Sequence, residues 1–321
     1  MSTAFFWHQD AEQHDMGHDH PESPARLRAI LDRLQQSGLG QELDWHTPEE
    51  VTRKQLELAH AVSYLDQLEQ MAPQQGRIMA DPDTAMTPFT LRAARLAAGA
   101  AVQAVDAVMS GQAKNAFVAM RPPGHHAERA KTMGFCFYNN IAIAAQHALN
   151  FHHLDRVAIV DFDVHQGNGT IDIFRHEPRV MICSSFQHPF YPHTPMHDMR
   201  EGIVNTPLAA GSRGSDFRRA VEHHWLPNLM AFKPQLILVS AGFDAHRDDP
   251  LADLRFENRD YRWITNMIND VARMHARGRV VSLLEGGYNL DVLADGAEAH
   301  VQELLSVGKG GLASGLGGLG I

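Results

Sequence analysis

Apolar positions recur along the chain with two different periods, and the change from one to the other marks out its elements. Behind Ser23-Pro24, which supply an N-cap and a proline for a first helical turn, Leu27, Ile30, Leu31 and Leu34 form one helical stripe that Gly38 stops. Val51, Leu56, Leu58, Leu65 and Leu68 predict two short helices within 48–72. Residues 73–86, rich in Asp, Pro and small polar side chains, read as a loop. From Thr87-Pro88 a long helix runs through Leu91, Leu96, Ala98, Val102, Val105 and Met109 to Gly111, and its alanines predict close helix packing. Beyond it, continuous apolar runs alternate with helical periods. Strands are expected at 116–120, from Val157, and at 180–185, 236–240 and 280–284; helices at about 139–152, 215–231, 259–277 and 291–306. An apolar run without polar interruption is how a strand buried on both faces reads. The pattern predicts an α/β fold: a mostly parallel sheet with helices on both faces, in one domain over 1–307. The tail 308–321 is glycine-rich low complexity and reads as flexible.

The apolar strand from Val157 changes character at Asp161. In extended chain, Asp161, Asp163 and His165 project to one side and Phe162 and Val164 to the other. Two carboxylates and an imidazole at the end of a buried strand are costly unless a cation neutralises them. Parallel sheets bind ligands outside the carboxyl ends of their strands. Four strands release polar, Gly-rich segments there: His125-His126, Asp161 to His165, Asp244 and Tyr288. Asp163, His165 and Asp244 offer an O, N, O set with positions left open, as in a catalytic metal site; zinc is the default and iron(II) suits the same donors. The Pro122-Pro123-Gly124 approach favours a general base in the histidine pair. Asp161 is placed to orient one imidazole, and Tyr288, on a Gly-Gly turn, to donate to an oxyanion.

Composition narrows the partners. With 28 Lys and Arg against 38 Asp and Glu the net charge is -10, which disfavours nucleic acid and suits a cationic substrate. Cys136 and Cys183 form no ligand spacing and read as buried thiols in a reducing compartment. Neither a signal peptide nor a membrane-spanning run is expected, so the chain reads as cytoplasmic, with oligomerisation left open. The tract His14-Asp15-Met16-Gly17-His18-Asp19-His20 reads as a solvated loop rather than a dedicated ion site.

Taken together, these blocks resemble the histone deacetylase family. Arg121-Pro122-Pro123-Gly124-His125-His126-Ala127-Glu128 with Met133-Gly134-Phe135-Cys136-Phe137-Tyr138-Asn139-Asn140 is similar to its histidine-dyad block. Asp161 to Thr170, Ser240-Ala241-Gly242-Phe243-Asp244-Ala245-His246 and Leu284-Glu285-Gly286-Gly287-Tyr288 match the others, in order, and His20 to Leu27 resembles the opening helix. The forms are those of class II and bacterial members. The resemblance implies the arginase-deacetylase fold, with zinc on Asp163, His165 and Asp244. It implies His126 as general base and acid, His125 as its electrostatic partner bonded to Asp161, and Tyr288 polarising the acyl carbonyl. Gly134, Phe135, Phe190 or Tyr191, and Leu251 would line the acyl-lysine channel. A structural potassium ion would sit on the carbonyls of Asp161, Asp163 and His165 with Ser184. Asn168 stands where class I members carry an aspartate beside the second histidine.

The chemistry implied is hydrolysis of N-acetyl or other N-acyl amides, with acetyl-lysine as leading substrate and acetylated polyamines as the alternative. Asp81 and Asp83 lie in a loop within reach of the channel rim. A non-catalytic acyl-lysine binding module is the alternative of another class, disfavoured because every catalytic group is present. An arginase-like two-metal site does not suit the single ligand set.

Overall fold

The computed structural model describes residues 2–194 and 200–307, so the glycine-rich tail lies outside the described residues. Among the described residues ten strands form: β1 Ser2–Phe6, β2 Leu43–His46, β3 Ile78–Asp81, β4 Thr84–Met86, β5 Ala113–Val118, β6 Val157–Asp161, β7 Val180–Gln187, β8 Ile203–Leu208, β9 Leu236–Ala241 and β10 Val280–Leu284. Eight of them make one sheet in the order β2-β1-β5-β10-β9-β6-β7-β8, and every pairing in it is parallel. The central strands β6, β9 and β10 are buried at every position, as their unbroken apolar runs require.

The helices are α1 Ala25–Gln36, α2 Arg53–Leu56, α3 Val62–Met71, α4 Thr90–Ser110, α5 Asn140–Asn150, α6 Asn168–Phe174, α7 Gly214–Ala220, α8 Leu226–Phe232, α9 Asn258–His275 and α10 Leu290–Ser306. Right-handed crossovers decide which face each one covers. The chain moves one way along the sheet through α4, α5 and α6, and the other way through α1, α7–α8 and α9. Accordingly α4 packs on α5 and α5 on α6, while α10 packs on α1 and α9, and α9 on α7. Connections leaving β5 and β6 therefore cross one face, and those leaving β9 and β10 the other. The four strands lie side by side at the centre, so the chain opens a crevice where the directions diverge.

Several local expectations are corrected. Residues 73–86 contain the antiparallel β3–β4 hairpin, because Asp81-Pro82-Asp83 supplies a turn between two short extended segments. Strands β1, β2 and β8 were not expected. β2 is a four-residue edge strand with a mostly wet face, and β8 is an edge strand carrying Pro207. The helix at 215–231 runs from Gly214 to Phe232 but widens into a π turn at Val221–Trp225. His14 is fully buried, with Nδ1 2.9 Å from the Thr90 hydroxyl, so the histidine tract is not wholly solvated; His18 is exposed. Both cysteines are free and buried. Among the described residues no helix is long and apolar enough to cross a membrane.

One buried imidazole ties the loop after β5 to the start of α5. His60 Nδ1–H donates to the Glu128 carbonyl at 3.1 Å, and its Nε2 accepts the Asn139 N–H at 2.9 Å, so a second ring proton would face a donor. Burial pushes this imidazole down to about 4. The unfolded chain therefore binds a proton near pH 6.5 that the folded chain refuses, and stability falls as pH drops from 6.5 toward 4. His60 alone should cost about 2 kcal/mol between pH 7 and pH 5. Urea unfolding of His60→Gln at the two pH values should show a pH difference smaller by that amount; an unchanged difference would clear His60 of the effect.

Candidate active site

β6 ends at Asp161, and the next four residues leave the sheet through two side-chain-closed turns instead of continuing extended. Asp161 Oδ1 accepts the Asp163 N–H at 3.1 Å, and Asp163 Oδ1 accepts the His165 N–H at 2.9 Å. These turns, not simple strand alternation, gather the three side chains. Asp161 Oδ2 then faces His125 Nδ1 at 2.9 Å. Asp163 Oδ1 lies 3.1 Å from His165 Nδ1, and Asp163 Oδ2 accepts the Gly286 N–H at 2.8 Å. From the end of β9, Asp244 Oδ1 accepts the Val164 N–H at 2.9 Å. Its other oxygen, buried and 3.4 Å from His165 Nδ1, makes no hydrogen bond. One donor atom from each of Asp163, His165 and Asp244 falls within 4.8 Å of the other two, a group able to hold a metal ion.

The histidine pair projects from the loop after β5, and the two rings lie 4.0 Å apart. His126 Nδ1 is 2.7 Å from Asn168 Oδ1. The Asn168 amide is oriented by its own donation to Glu128 Oε1 at 2.9 Å, so its oxygen faces the ring and Nδ1 carries the proton. Nε2 of His126 is thereby left with its lone pair. Electrostatics separate the two rings. Burial alone would lower His125, but Asp161, Asp163 and Glu285 outweigh it and hold the imidazolium well above its usual value. Burial, then the positive fields of His125 and His165, push His126 well below. The dyad is one cation beside one neutral base.

Tyr288 follows β10 on the Gly286-Gly287 turn, its N–H donating to Asp249 Oδ2 at 2.7 Å. Burial, reinforced by Asp244, pushes its phenol well above the ordinary range, so it stays a donor. Around these groups stand the expected channel residues. Phe190 stacks on His165 at 5.4 Å, Tyr191 meets both His126 and His165 edge-on at 5.3 and 5.9 Å, and Phe135 meets Tyr288 at 6.0 Å. Both Phe190 and Tyr191 lie against the His165 ring. Gly134 lies so close that a Cβ would sit 2.4 Å from His126 Cδ2. Leu251, half-buried, is tied to Asp249 Oδ1 through its N–H at 3.0 Å. Ser184, opposite Asp161 on β7, carries a buried hydroxyl without a hydrogen-bond partner.

Residues 20–304 match the family model described as the histone deacetylase domain. The chain belongs to the histone deacetylase family. It is similar to a histone deacetylase-like amidohydrolase of Pseudomonas aeruginosa, 36% identical over 90% of this chain and 77% of the relative. It is similar to the polyamine deacetylase HDAC10 of Homo sapiens, 36% identical over 95% of this chain but only 48% of that longer protein. Among solved structures, the HDA15 HD domain superposes with a TM-score of 0.90 at 35% identity, over 95% of this chain and 88% of the other.

Like the family blocks it is built from, the site has supports that the sequence reading did not single out. Glu285 Oε2 accepts the N–H groups of Gly124 and His125 at 2.8 and 3.1 Å, fixing the dyad loop to β10. Arg26 donates to the carbonyls of Gly287 at 2.7 Å and Glu285 at 2.5 Å, and its guanidinium lies 5.1 Å from the Tyr288 ring centre. Their signal was a charge set inside or beside an otherwise apolar run. Gly286 gives the sharpest test of the crowding: a Cβ there would fall 2.0 Å from Asp244 Oδ2 and 2.7 Å from Asp163 Oδ2. Gly286→Ala should displace both carboxylates and cut amide turnover by about 10² or more, the cost of misplacing a reacting group by an ångström. Near-UV dichroism should stay native, and full activity would show that the carboxylates do not have to stand where they do.

Proposed function

We propose that this chain is a zinc-dependent amidohydrolase that removes acetyl groups from lysine side chains, releasing acetate. The observation that carries the reading is the gathering of Asp163, His165 and Asp244, with Asp244 Oδ2 buried and without a hydrogen bond, beside a neutral His126. A carboxylate oxygen left without a partner in the interior is costly, and a cation satisfies it. Asp163, His165 and Asp244 would hold that ion; two oxygens and one nitrogen suit zinc, and iron(II) shares the preference. When bound, zinc supplies Lewis acidity toward an acyl oxygen and lowers the pKa of water toward neutrality.

The rest of the reaction falls to the protein's own groups. His126 Nε2 takes the proton of the attacking water, while Asn168 keeps the proton on Nδ1. Tyr288 donates a hydrogen bond to the acyl oxygen as negative charge grows on it. His126 then returns its proton to the leaving amine nitrogen. His125, held cationic by Asp161, contributes positive field to the same transition state. Gly134, Phe135, Phe190, Tyr191 and Leu251 form the walls that exclude water around the acyl chain. Ser184, with its unpartnered hydroxyl, and the carbonyls of Asp161, Asp163 and His165 are proposed to hold a structural potassium ion.

Acetylated polyamines are a second reading, favoured by the acidic hairpin. The Thr84 hydroxyl accepts the Phe135 N–H at 3.0 Å, which seats β3–β4 on the rim, and burial, reinforced by the negative charge of Asp83 and Asp81, raises the Tyr191 phenol. The polyamine deacetylase relative points the same way. A panel of acetyl-lysine peptides, acetylputrescine and acetylspermidine on zinc-loaded protein should show hydrolysis, fastest for the peptides. Hydrolysis of none would leave an acyl-lysine binding module. Tyr288→Phe should lower turnover about 10²–10³-fold, as for other oxyanion donors. Asp244→Asn should lose zinc, and unchanged zinc content would remove it from the ligand set.

A further inference from the structure

A second convergence of ligand-type side chains lies far from the catalytic edge. α5 starts beside the histidine dyad and runs to the opposite edge of the sheet, where it ends at Asn150. There His147 from the last turn of α5, His152 from the turn that follows and Asp106 from α4 come together. Nε2 of His147 and Nε2 of His152 each lie 2.7 Å from the same oxygen, Asp106 Oδ1. One donor atom from each falls within 4.8 Å of the other two.

The three groups are held unequally, as a site with one open side would be. The His147 side chain is 6% exposed and its ring stacks on Phe151 at 4.7 Å, so its position is set by packing. Its other nitrogen, Nδ1, is buried without a partner, so the hydrogen bonding of this ring rests on Asp106 alone. The side chains of His152 and Asp106 are 25% and 50% exposed, leaving the cluster open to solvent on one side. Two imidazoles crowd one carboxylate oxygen, and the other oxygen is free to turn.

We propose that Asp106, His147 and His152 form a second metal site, which takes one transition-metal dication of the zinc, cobalt or nickel type. Two imidazole nitrogens and one carboxylate oxygen are the donors such ions prefer, whereas calcium and magnesium select all-oxygen sites. A tetrahedral ion with bonds of about 2.0–2.1 Å spaces its ligand atoms by roughly 3.3 Å. The hydrogen-bonded cluster therefore opens by roughly 0.6 Å to admit it, a shift that the half-exposed Asp106 side chain supplies. Water completes the coordination on the open side. The ion clips the end of α5 to α4, and its role is to bind and brace, not to catalyse.

The test is metal stoichiometry on the full chain, read independently of activity. Equilibrium dialysis against Zn2+ should load wild-type protein with one ion more than His152→Ala or Asp106→Asn. Those variants should bind the extra ion about 10–100-fold more weakly or worse, since loss of even a supporting partner costs a metal site that much. Dialysed against Co2+, the wild type should show a visible d–d band that His152→Ala lacks. Asp244→Asn should keep this ion whatever becomes of the catalytic one, so the two sites are scored separately. Equal zinc loading of wild type and His152→Ala would overturn the proposal. So would variants that lose stability equally with and without zinc, which would make the cluster a hydrogen-bonded clamp and nothing more.

Discussion

Burying like charges together is the constraint on which the rest of this structure depends. Asp161, Asp163, Asp244 and Glu285 are all at most 1% exposed, within one crevice at the carboxyl edge of a parallel sheet. Such a group stands only if nearly every oxygen has a donor. The chain provides those donors mostly from its backbone: the N–H groups of Asp163, Val164, His165, Gly286, Gly124 and His125 each point at a carboxylate. Backbone donors of this kind require the strands' outgoing loops to curl back over the sheet. That is why the site sits where β5, β10, β9 and β6 lie side by side and their connections part to opposite faces.

The same constraint reaches into the N-terminal segment. Glu22, Arg26 and Arg121 are fully buried and paired: Arg121 bonds Glu22 through Nε and through Nη2, and Arg26 bonds it through Nη1 at 3.1 Å. Removing one member would strand a charge in the interior, at a cost of about 3–5 kcal/mol. The geometry gives this cluster a positioning role. Arg121 also holds the carbonyls of Ala11 and His14 at 3.0 Å, while Arg26 holds those of Glu285 and Gly287. The opening helix, the dyad loop and the turn bearing Tyr288 are thereby locked to one another across more than 250 residues of sequence, Arg26 and Gly287 being 261 apart.

What was legible in the sequence follows from where each residue sits. Val157–Val160, Leu236–Val239 and Val280–Leu284 announced themselves as strands because both of their faces are covered, and their polar ends announced the site. β2 and β8 gave no such signal, since an edge strand with one wet face is short and mixed, and β8 tolerates Pro207 only because it is an edge. The histidines, aspartates and Tyr288 were readable because their chemistry is rare at strand ends. Arg26 and Glu22 were not, because in sequence Arg26 looks like the polar face of an amphipathic helix and Glu22 like a wet residue ahead of it; only the tertiary pairing to Arg121 reveals them as interior. The β3–β4 hairpin was hidden in the same way, its Asp-Pro-Asp turn being equally at home in an irregular loop.

Charge balance explains the neutral partner of His126. With His165 neutral, as a metal-ligating imidazole must be, Asp161, Asp163 and Asp244 bring three negative charges, and His125 returns one positive. A dication on Asp163, His165 and Asp244 would bring the group to zero, with Glu285, pushed up to about 7 by burial, poised at the margin. An aspartate in place of Asn168 would add a fourth buried negative charge 2.7 Å from His126 and raise that ring's affinity for a proton. Asn168 accepts from Nδ1 with no charge at all. It thus fixes the tautomer in which Nε2 is a free base while leaving the pKa of His126 low, and its own amide is held in that orientation by Glu128. The site is therefore divided between a strongly charged half, whose gathered donors suit a cation, and a neutral half, in which His126 Nε2 keeps a free lone pair.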